Sequence, residues 1–158
     1  KIVVKPDLIV MSLFLRTQQT AQPTLEKFPN VPTEIWPIQE FTYLSLERSQ
    51  NSSVVERRPI VEAYWRRADP DYNDGGVESF NDALRRVDVM RVRLLHHCLG
   101  QTVIVFGHGM FIKMLEWKLQ SAAASTMNSF QEFHEVAPMP NCSILKCEVD
   151  DKRQWCVQ

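Results

Sequence analysis

Short apolar runs and amphipathic stretches alternate along the chain. Leu8–Met11 and Thr102–Phe106 are apolar runs bounded by polar residues, which is typical of buried parallel strands. Glu34–Ile38 predicts a third strand, at or near a sheet edge, because the proline in this run has no N–H to donate. Two further runs, Cys142–Val149 and Arg153–Val157, flank a short polar turn and predict a terminal hairpin.

Four stretches have the composition or the apolar spacing of helices: residues 14–28, 54–67, 80–98 and 110–120. Pro23 predicts a kink or an early break in the first stretch, and Pro59 is expected in the first turn of the second. Residues 41–55 predict an irregular segment and 69–76 a loop, whereas 122–134 leave helix and loop open. This alternation indicates one α/β domain over residues 1–158, a three-layer sandwich whose mostly parallel sheet carries helices on both faces.

Composition and charge narrow the class of protein. Of the 158 residues, 44% are hydrophobic and 23% charged, and the net charge of −1 gives no electrostatic case for binding nucleic acid or a membrane surface. The four cysteines form no C-x-x-C pair and the four histidines no ligand pattern, so we expect free thiols and neither metal nor cofactor. By default we expect a cytoplasmic location. The sequence leaves open whether the protein forms a homodimer.

The most informative polar residues follow the two best-defined strands. Gly107-His108-Gly109 lies between a strand and a helix, where parallel sheets bind ligands and where helix N–H groups can meet an anion. Arg16 comes four residues after Ser12, and its guanidinium is a permanently charged fork that suits phosphate oxygens. A tight-turn histidine and a surface arginine are the alternatives. A cation at a helix start is nevertheless poorly placed unless an anion lies beside it.

Together these segments resemble the histidine phosphatase superfamily, the phosphoglycerate mutase-like proteins. The segment from Ser12 to Ala21 is similar to the family's Ser-Pro-x-x-Arg-x-x-x-Thr-Ala, with Leu13 in place of proline. The strand, His-Gly and helix around His108 are similar to the segment of the family's second histidine. Two further segments extend the resemblance over most of the chain: Gly76–Phe80 and Pro140–Ile144.

The resemblance implies a metal-independent phosphatase of small phosphate esters that forms a phosphohistidine intermediate. It implies that Arg16 clamps the phosphoryl group and that His108 donates to it, both as catalytic residues. Ser12 and Gly109 would complete the phosphate-binding site. A phosphoglycerate mutase would use the same chemistry on a different acceptor.

The family's general acid is a carboxylate in the middle third of the chain. Glu40 is the best match because it follows a predicted strand and opens an irregular segment. To protonate the leaving alkoxide, it would need a pKa raised by burial. Glu34 and Glu78 are the alternatives, and most glutamates are solvated surface charges.

The family's nucleophile lies in an Arg-His-Gly segment, and this tripeptide occurs nowhere in the 158 residues. Lys1–Val4 has the composition of a strand, but Lys5-Pro6-Asp7 follows it. We therefore expect the nucleophile and its strand to lie outside this sequence, on its N-terminal side. Two alternatives are a truncated gene product, and a non-catalytic phosphate-binding or interaction domain that uses Arg16 and His108 only to bind phosphate.

Two basic pairs, Arg57-Arg58 and Arg66-Arg67, flank Tyr64-Trp65 in one predicted helix. A solvated helix face is the simpler interpretation. The alternative is that these arginines reach over the pocket and select an acidic substrate.

Overall fold

A parallel sheet forms the centre of the protein, whose computed structural model describes residues 4–50, 52–121 and 126–158. Its strands are β1 (Leu8–Met11), β2 (Thr33–Ile35) and β3 (Val103–Phe106), in the order β2-β1-β3. Both neighbours pair with β1 in parallel. Strand β2 is shorter than expected and ends before Pro37, and it lies at the edge of the sheet as predicted. Except for its last residue, the strand suggested at Lys1–Val4 falls outside the described residues.

The described residues form six helices: α1 (Leu15–Lys27), α2 (Leu46–Ser49), α3 (Val54–Arg67), α4 (Phe80–His97), α5 (Gly109–Gln120) and α6 (Met127–Val136). Short α2 interrupts the segment predicted to be irregular. The sequence left helix and loop open for residues 122–134. Helix α6 covers this segment from Met127 onward, and residues 122–125 lie outside the described part.

Both prolines lie inside their helices, which excludes an early break of the first helix at Pro23 and corrects the expectation for Pro59. Helix α1 continues past Pro23, and Pro59 occupies the interior of α3 instead of its first turn. A proline removes one helical hydrogen bond, but packing supplies most of the stability of a protein helix. Helix α3 has a capping box at Ser53 and buries Tyr64 and Trp65 near its other end, which supports helix on both sides of the proline.

The two faces of the sheet bury different layers of side chains, which confirms the three-layer sandwich. All four residues of β1 are buried. Ile9 and Met11 pack with Ala21 of α1, whereas Leu8 and Val10 join the larger core formed with α3 to α6. This alternation follows from the two-residue period of a strand.

The remaining elements close the domain in the predicted order, with two strands shorter than expected. Helix α4 begins with a capping box at Ser79. Strands β4 (Cys147–Val149) and β5 (Trp155–Val157) form the antiparallel terminal hairpin. Pairing begins at Cys147, five residues later than expected, and Cys142 itself has a left-handed backbone with φ of 63° that is incompatible with a strand. Within the described residues, every helix is too short or too polar to span a bilayer.

Candidate functional site

Two predicted site residues, Ser12 and His108, meet where β1 and β3 end. The Ser12 backbone N–H donates to the Phe106 carbonyl at 3.2 Å, which extends the pairing of the two strands by one residue. The Ser12 hydroxyl lies 2.8 Å from His108 Nε2, and both side chains are buried. The carboxyl ends of adjacent parallel strands form the edge at which such sheets bind ligands. The topology therefore places His108 at a ligand-binding edge.

Arg16 completes this cluster from the first turn of α1. Its Nε and Nη2 lie 3.1 and 2.8 Å from His108 Nδ1. Since a guanidinium has only donors, Nδ1 must accept and the imidazole must be neutral, with its proton on Nε2. That proton is donated to the Ser12 hydroxyl, which also lies 2.9 Å from the Thr17 hydroxyl. The chain of hydrogen bonds fixes both the ring orientation and its tautomer.

The electrostatic surroundings of His108 favour the same neutral form. Burial, followed by the positive charges of Arg16 and Arg86, lowers the pKa of His108 from 6.5 to about 4. His108 is also the N-cap of α5, whose positive dipole end disfavours an imidazolium. An anion placed between Arg16 and His108 would reverse this balance and favour protonation of the ring.

Arg16 is exposed, unlike the histidine it contacts. Its guanidinium lies 4.8 Å from the centre of the Phe14 ring, which in turn meets His108 edge-on at 5.3 Å. Phe14 therefore supports both the cation and the imidazole. An anion that arrives from solvent would reach the guanidinium first and the buried histidine behind it.

Glu40 reaches the same helix end from the opposite side. Its carboxylate accepts from the Phe41 N–H at 3.1 Å, from the Phe111 N–H at 3.2 Å and from the Met110 N–H at 3.5 Å. The last two belong to the first turn of α5, directly after His108. The carboxylate is half-buried, so solvent reaches it. Glu40 is therefore the predicted acid that the fold brings to His108.

The two alternative acids hold cations elsewhere. Glu34 accepts from the Trp36 indole at 2.7 Å and from Arg93 at 2.6 Å. Glu78 binds Arg86 through two hydrogen bonds, one of them 2.7 Å long. Both alternatives are engaged by arginines, whereas Glu40 contacts the first turn of α5 directly after His108, so Glu40 is the better placed candidate.

Arg86 is a site residue that the sequence did not reveal. From α4 its Nη1 donates to the carbonyls of Pro37 and Gln39, at 3.0 Å each, and so holds the segment that carries Glu40. Its guanidinium lies 4.9 Å from the centre of the Phe111 ring, close to the helix end described above. Nothing in the sequence distinguishes Arg86 from its neighbour Arg85, because its role depends on contacts 47 and 49 positions away.

The glycines beside His108 allow close packing at the turn. A Cβ at Gly107 would lie 3.3 Å from the Ile112 side chain, closer than most such contacts. Gly109 is the first residue of α5, so its N–H lies at the positive end of the helix. Across the described parts of the chain, no three His, Cys, Asp or Glu side chains are grouped so as to hold a metal ion.

Known proteins match the chain in sequence pattern and in fold. The family model described as histidine phosphatase superfamily (branch 1) matches residues 3–158. The α-ribazole phosphatase of Shigella flexneri superposes with a TM-score of 0.73 at 16% identity, over 98% of this chain and 73% of its own. A mycobacterial glucosyl-3-phosphoglycerate phosphatase, solved with inorganic phosphate, superposes with a TM-score of 0.67 at 19% identity, over 98% of this chain and 76% of its own. No curated protein gives a significant match.

At these identities the solved structures show a shared fold, and the family match covers nearly the whole chain. The chain belongs to the histidine phosphatase superfamily, branch 1.

Proposed function

We propose that this protein binds small phosphate monoesters at Arg16 and His108. We propose further that these residues are part of an enzyme that hydrolyses such esters without a metal. One observation carries the proposal: an exposed guanidinium and a buried imidazole converge within 2.8 Å of each other at the carboxyl ends of two parallel strands. The names of the structural neighbours, which are phosphatases, support the same reaction class.

In the proposed complex, two phosphoryl oxygens replace His108 Nδ1 as acceptors for the Arg16 fork. The dianion offsets the positive charge that now lowers the pKa of His108, so the imidazole takes up a proton and donates to the phosphoryl group. The Gly109 N–H at the start of α5 follows His108 directly, and the Ser12 hydroxyl holds Nε2, the other nitrogen of the ring, so we propose that Ser12 supports the phosphate site through His108. Such donors are arranged before the substrate arrives, which is how charge on a transferring phosphoryl group is stabilised.

Glu40 is the proposed general acid. Its position at the first turn of α5 lies next to His108 and next to solvent, where the alcohol of the ester would leave. In its protonated form, Glu40 would transfer a proton to the departing alkoxide. Arg86 would act as a positioning residue, because it holds the backbone of the preceding segment.

The proposed phosphohistidine intermediate needs a nucleophile that the 158 residues do not supply as Arg-His-Gly. We take this nucleophile to lie outside the sequence. The second candidate function is a domain that binds phosphate or a phosphorylated partner without turnover, which the contact between Arg16 and His108 would serve equally. A phosphoglycerate mutase is the third candidate, and it would isomerise phosphoglycerate while releasing little free phosphate.

Turnover and binding measured on the same preparation test these candidates. In a protein that carries the nucleophile segment in addition to these residues, we expect p-nitrophenyl phosphate hydrolysis that falls by orders of magnitude in Arg16→Ala and His108→Ala while circular dichroism stays unchanged. Glu40→Gln should lower kcat, and the exposed Glu47→Gln is its matched control. Saturable phosphate binding without hydrolysis would support the second candidate, and wild-type rates in folded Arg16→Ala would reject the site.

A further inference from the structure

An open groove of about 440 Å³ begins directly beside Glu40 and has no role in the mechanism above. Its sides are the segment that follows Glu40 and the first half of α3. Phe41, Tyr43, Leu44 and Val61 supply much of its apolar lining. The Phe41 N–H donates to the Glu40 carboxylate at 3.1 Å, so the groove starts one residue from the proposed acid. A volume of this order suits a small molecule.

Phe41 and Tyr43 form the aromatic floor of the groove, and they pack on buried rings that do not themselves line it. Tyr43 lies 5.2 Å from Phe41, 4.6 Å from Tyr64 and 5.5 Å from Trp65, measured between ring centres. Phe41, Tyr64 and Trp65 are buried in the main core, and Tyr43 packs against it. The aromatic surface is therefore held in place before any ligand arrives, and it would favour a planar or apolar group.

Two guanidinium groups line the same groove from α3, at Arg57 and Arg58. Arg57 Nε has a long hydrogen bond of 3.4 Å to the Ser53 carbonyl. Arg58 pairs with Glu62 at 3.0 Å, but both side chains are mostly exposed, and such pairs contribute little. Both cations can therefore turn toward an anion in the groove with little loss. An apolar floor with two cations on one wall is complementary to an amphipathic acid.

We infer that this groove binds the leaving group of the substrate, and that this group is an aromatic or similarly flat apolar body carrying a second acidic group that Arg57 and Arg58 bind. The inference rests on the proposed function, because it assumes that the phosphoryl group lies at Arg16 and His108. The phosphoryl group would then occupy the strand ends, Glu40 would face the bridging oxygen, and the leaving group would extend along Phe41 and Tyr43. The substrate class is a phosphate monoester of an acidic, apolar alcohol or phenol.

Four probes separate the groove from the phosphate site: inorganic phosphate, phenyl phosphate, 4-carboxyphenyl phosphate and naphthalene-2-carboxylate. Their affinities are measured by two-dimensional amide NMR titration of the wild type, of the double variant Arg57→Ala/Arg58→Ala, and of Arg66→Ala. Arg66 is a matched control because it is an exposed arginine of the same helix that does not line the groove. Circular dichroism verifies that each variant is folded.

We expect the wild type and Arg66→Ala to bind 4-carboxyphenyl phosphate about tenfold more tightly than phenyl phosphate, as for one charge-assisted contact. The double variant should lose this preference and keep its affinity for inorganic phosphate. A preference that is missing in the wild type, or that survives in the folded double variant, overturns the inference and leaves the proposed function intact. If no phosphate probe binds, the proposed function fails. In that case naphthalene-2-carboxylate could still bind the wild type and not the double variant. That result would uphold a binding site for an acidic aromatic molecule but overturn its role for the leaving group.

Discussion

Replacing Arg16 with alanine should raise the pKa of His108, and this change tests the central contact of the site directly. In the wild type, burial and the charges of Arg16 and Arg86 lower that pKa from 6.5 to about 4. A difference of this size corresponds to about 3 kcal/mol in favour of the neutral ring. The substitution removes the guanidinium that lies 2.8 Å from Nδ1 but leaves the ring buried among the same neighbours.

The magnitude follows from Coulomb's law and from the exposure of Arg16. Two unit charges about 4 Å apart interact by ~1 kcal/mol in water and by ~4 kcal/mol at an effective dielectric constant of about 20. Since Arg16 is exposed, we expect a value near the lower limit, which equals a rise of about one pKa unit. Burial is the largest cause and is unchanged, so the pKa should stay below 6.5.

Histidine Cε1 resonances, followed by NMR against pH, measure this pKa. His108→Gln identifies the resonance among those of the four histidines. Arg16→Lys should keep a depressed pKa because it retains the charge, although it loses the fork. Arg85→Ala is the matched control, since Arg85 is 70% exposed and pairs with Asp82. A wild-type pKa near 6.5, or an unchanged pKa in folded Arg16→Ala, would refute the proposed contact.

Three further changes test the energetics of the fold around the site. Because folding lowers the pKa of His108, the unfolded chain binds more protons than the folded chain between pH 6.5 and about 4. The contribution of neutral His108 to stability is therefore complete above pH 6.5 and is lost as the pH falls through this window. His108→Gln should make the free energy of unfolding in urea less dependent on pH over the same window. Arg86→Ala should lower the free energy of unfolding by about 3 kcal/mol or more. The reason is that Arg86 and Glu78 are each less than one-fifth exposed, and the substitution leaves the Glu78 carboxylate unpaired. Arg85→Ala is the control, and in the same urea assay it should change the free energy of unfolding by less than about 1 kcal/mol. Phe130→Ala should lower it by about 3–5 kcal/mol, since Phe130 is fully buried in the main core, and a loss below about 1 kcal/mol would contradict that packing.

Strands and helices could be predicted because each leaves a local pattern. The apolar runs at Leu8–Met11 and Val103–Phe106 are strands, and the long amphipathic stretch is α4, which ends one residue earlier than predicted. The errors occurred where tertiary contacts override a local rule. Pro59 disfavours a helix interior, yet the capping box and the buried aromatic residues of α3 maintain the helix there.

Each segment of the candidate site could be predicted separately, but the sequence did not show how these segments meet. Arg16 and His108 were each suited to phosphate by their residue type and by the strand before them. Arg86 leaves no distinctive pattern in the sequence, and the basic pair Arg57-Arg58 is visible there only as a pair, without the groove that it lines. Their neighbours come from other segments, so no short window of sequence contains the interaction.

The sequence by itself determined the order and type of most elements, the apolar faces of the sheet, and the residue types able to meet a phosphate. Periodicity and turn chemistry act between neighbours along the chain, so they can be recognised there. Only the tertiary structure decided that Arg16 donates to a histidine 92 positions away and that Glu40 caps the helix beginning at Gly109. The parallel register of β1 with β3 and the packing of α4 bring these groups together, and both depend on contacts between distant segments.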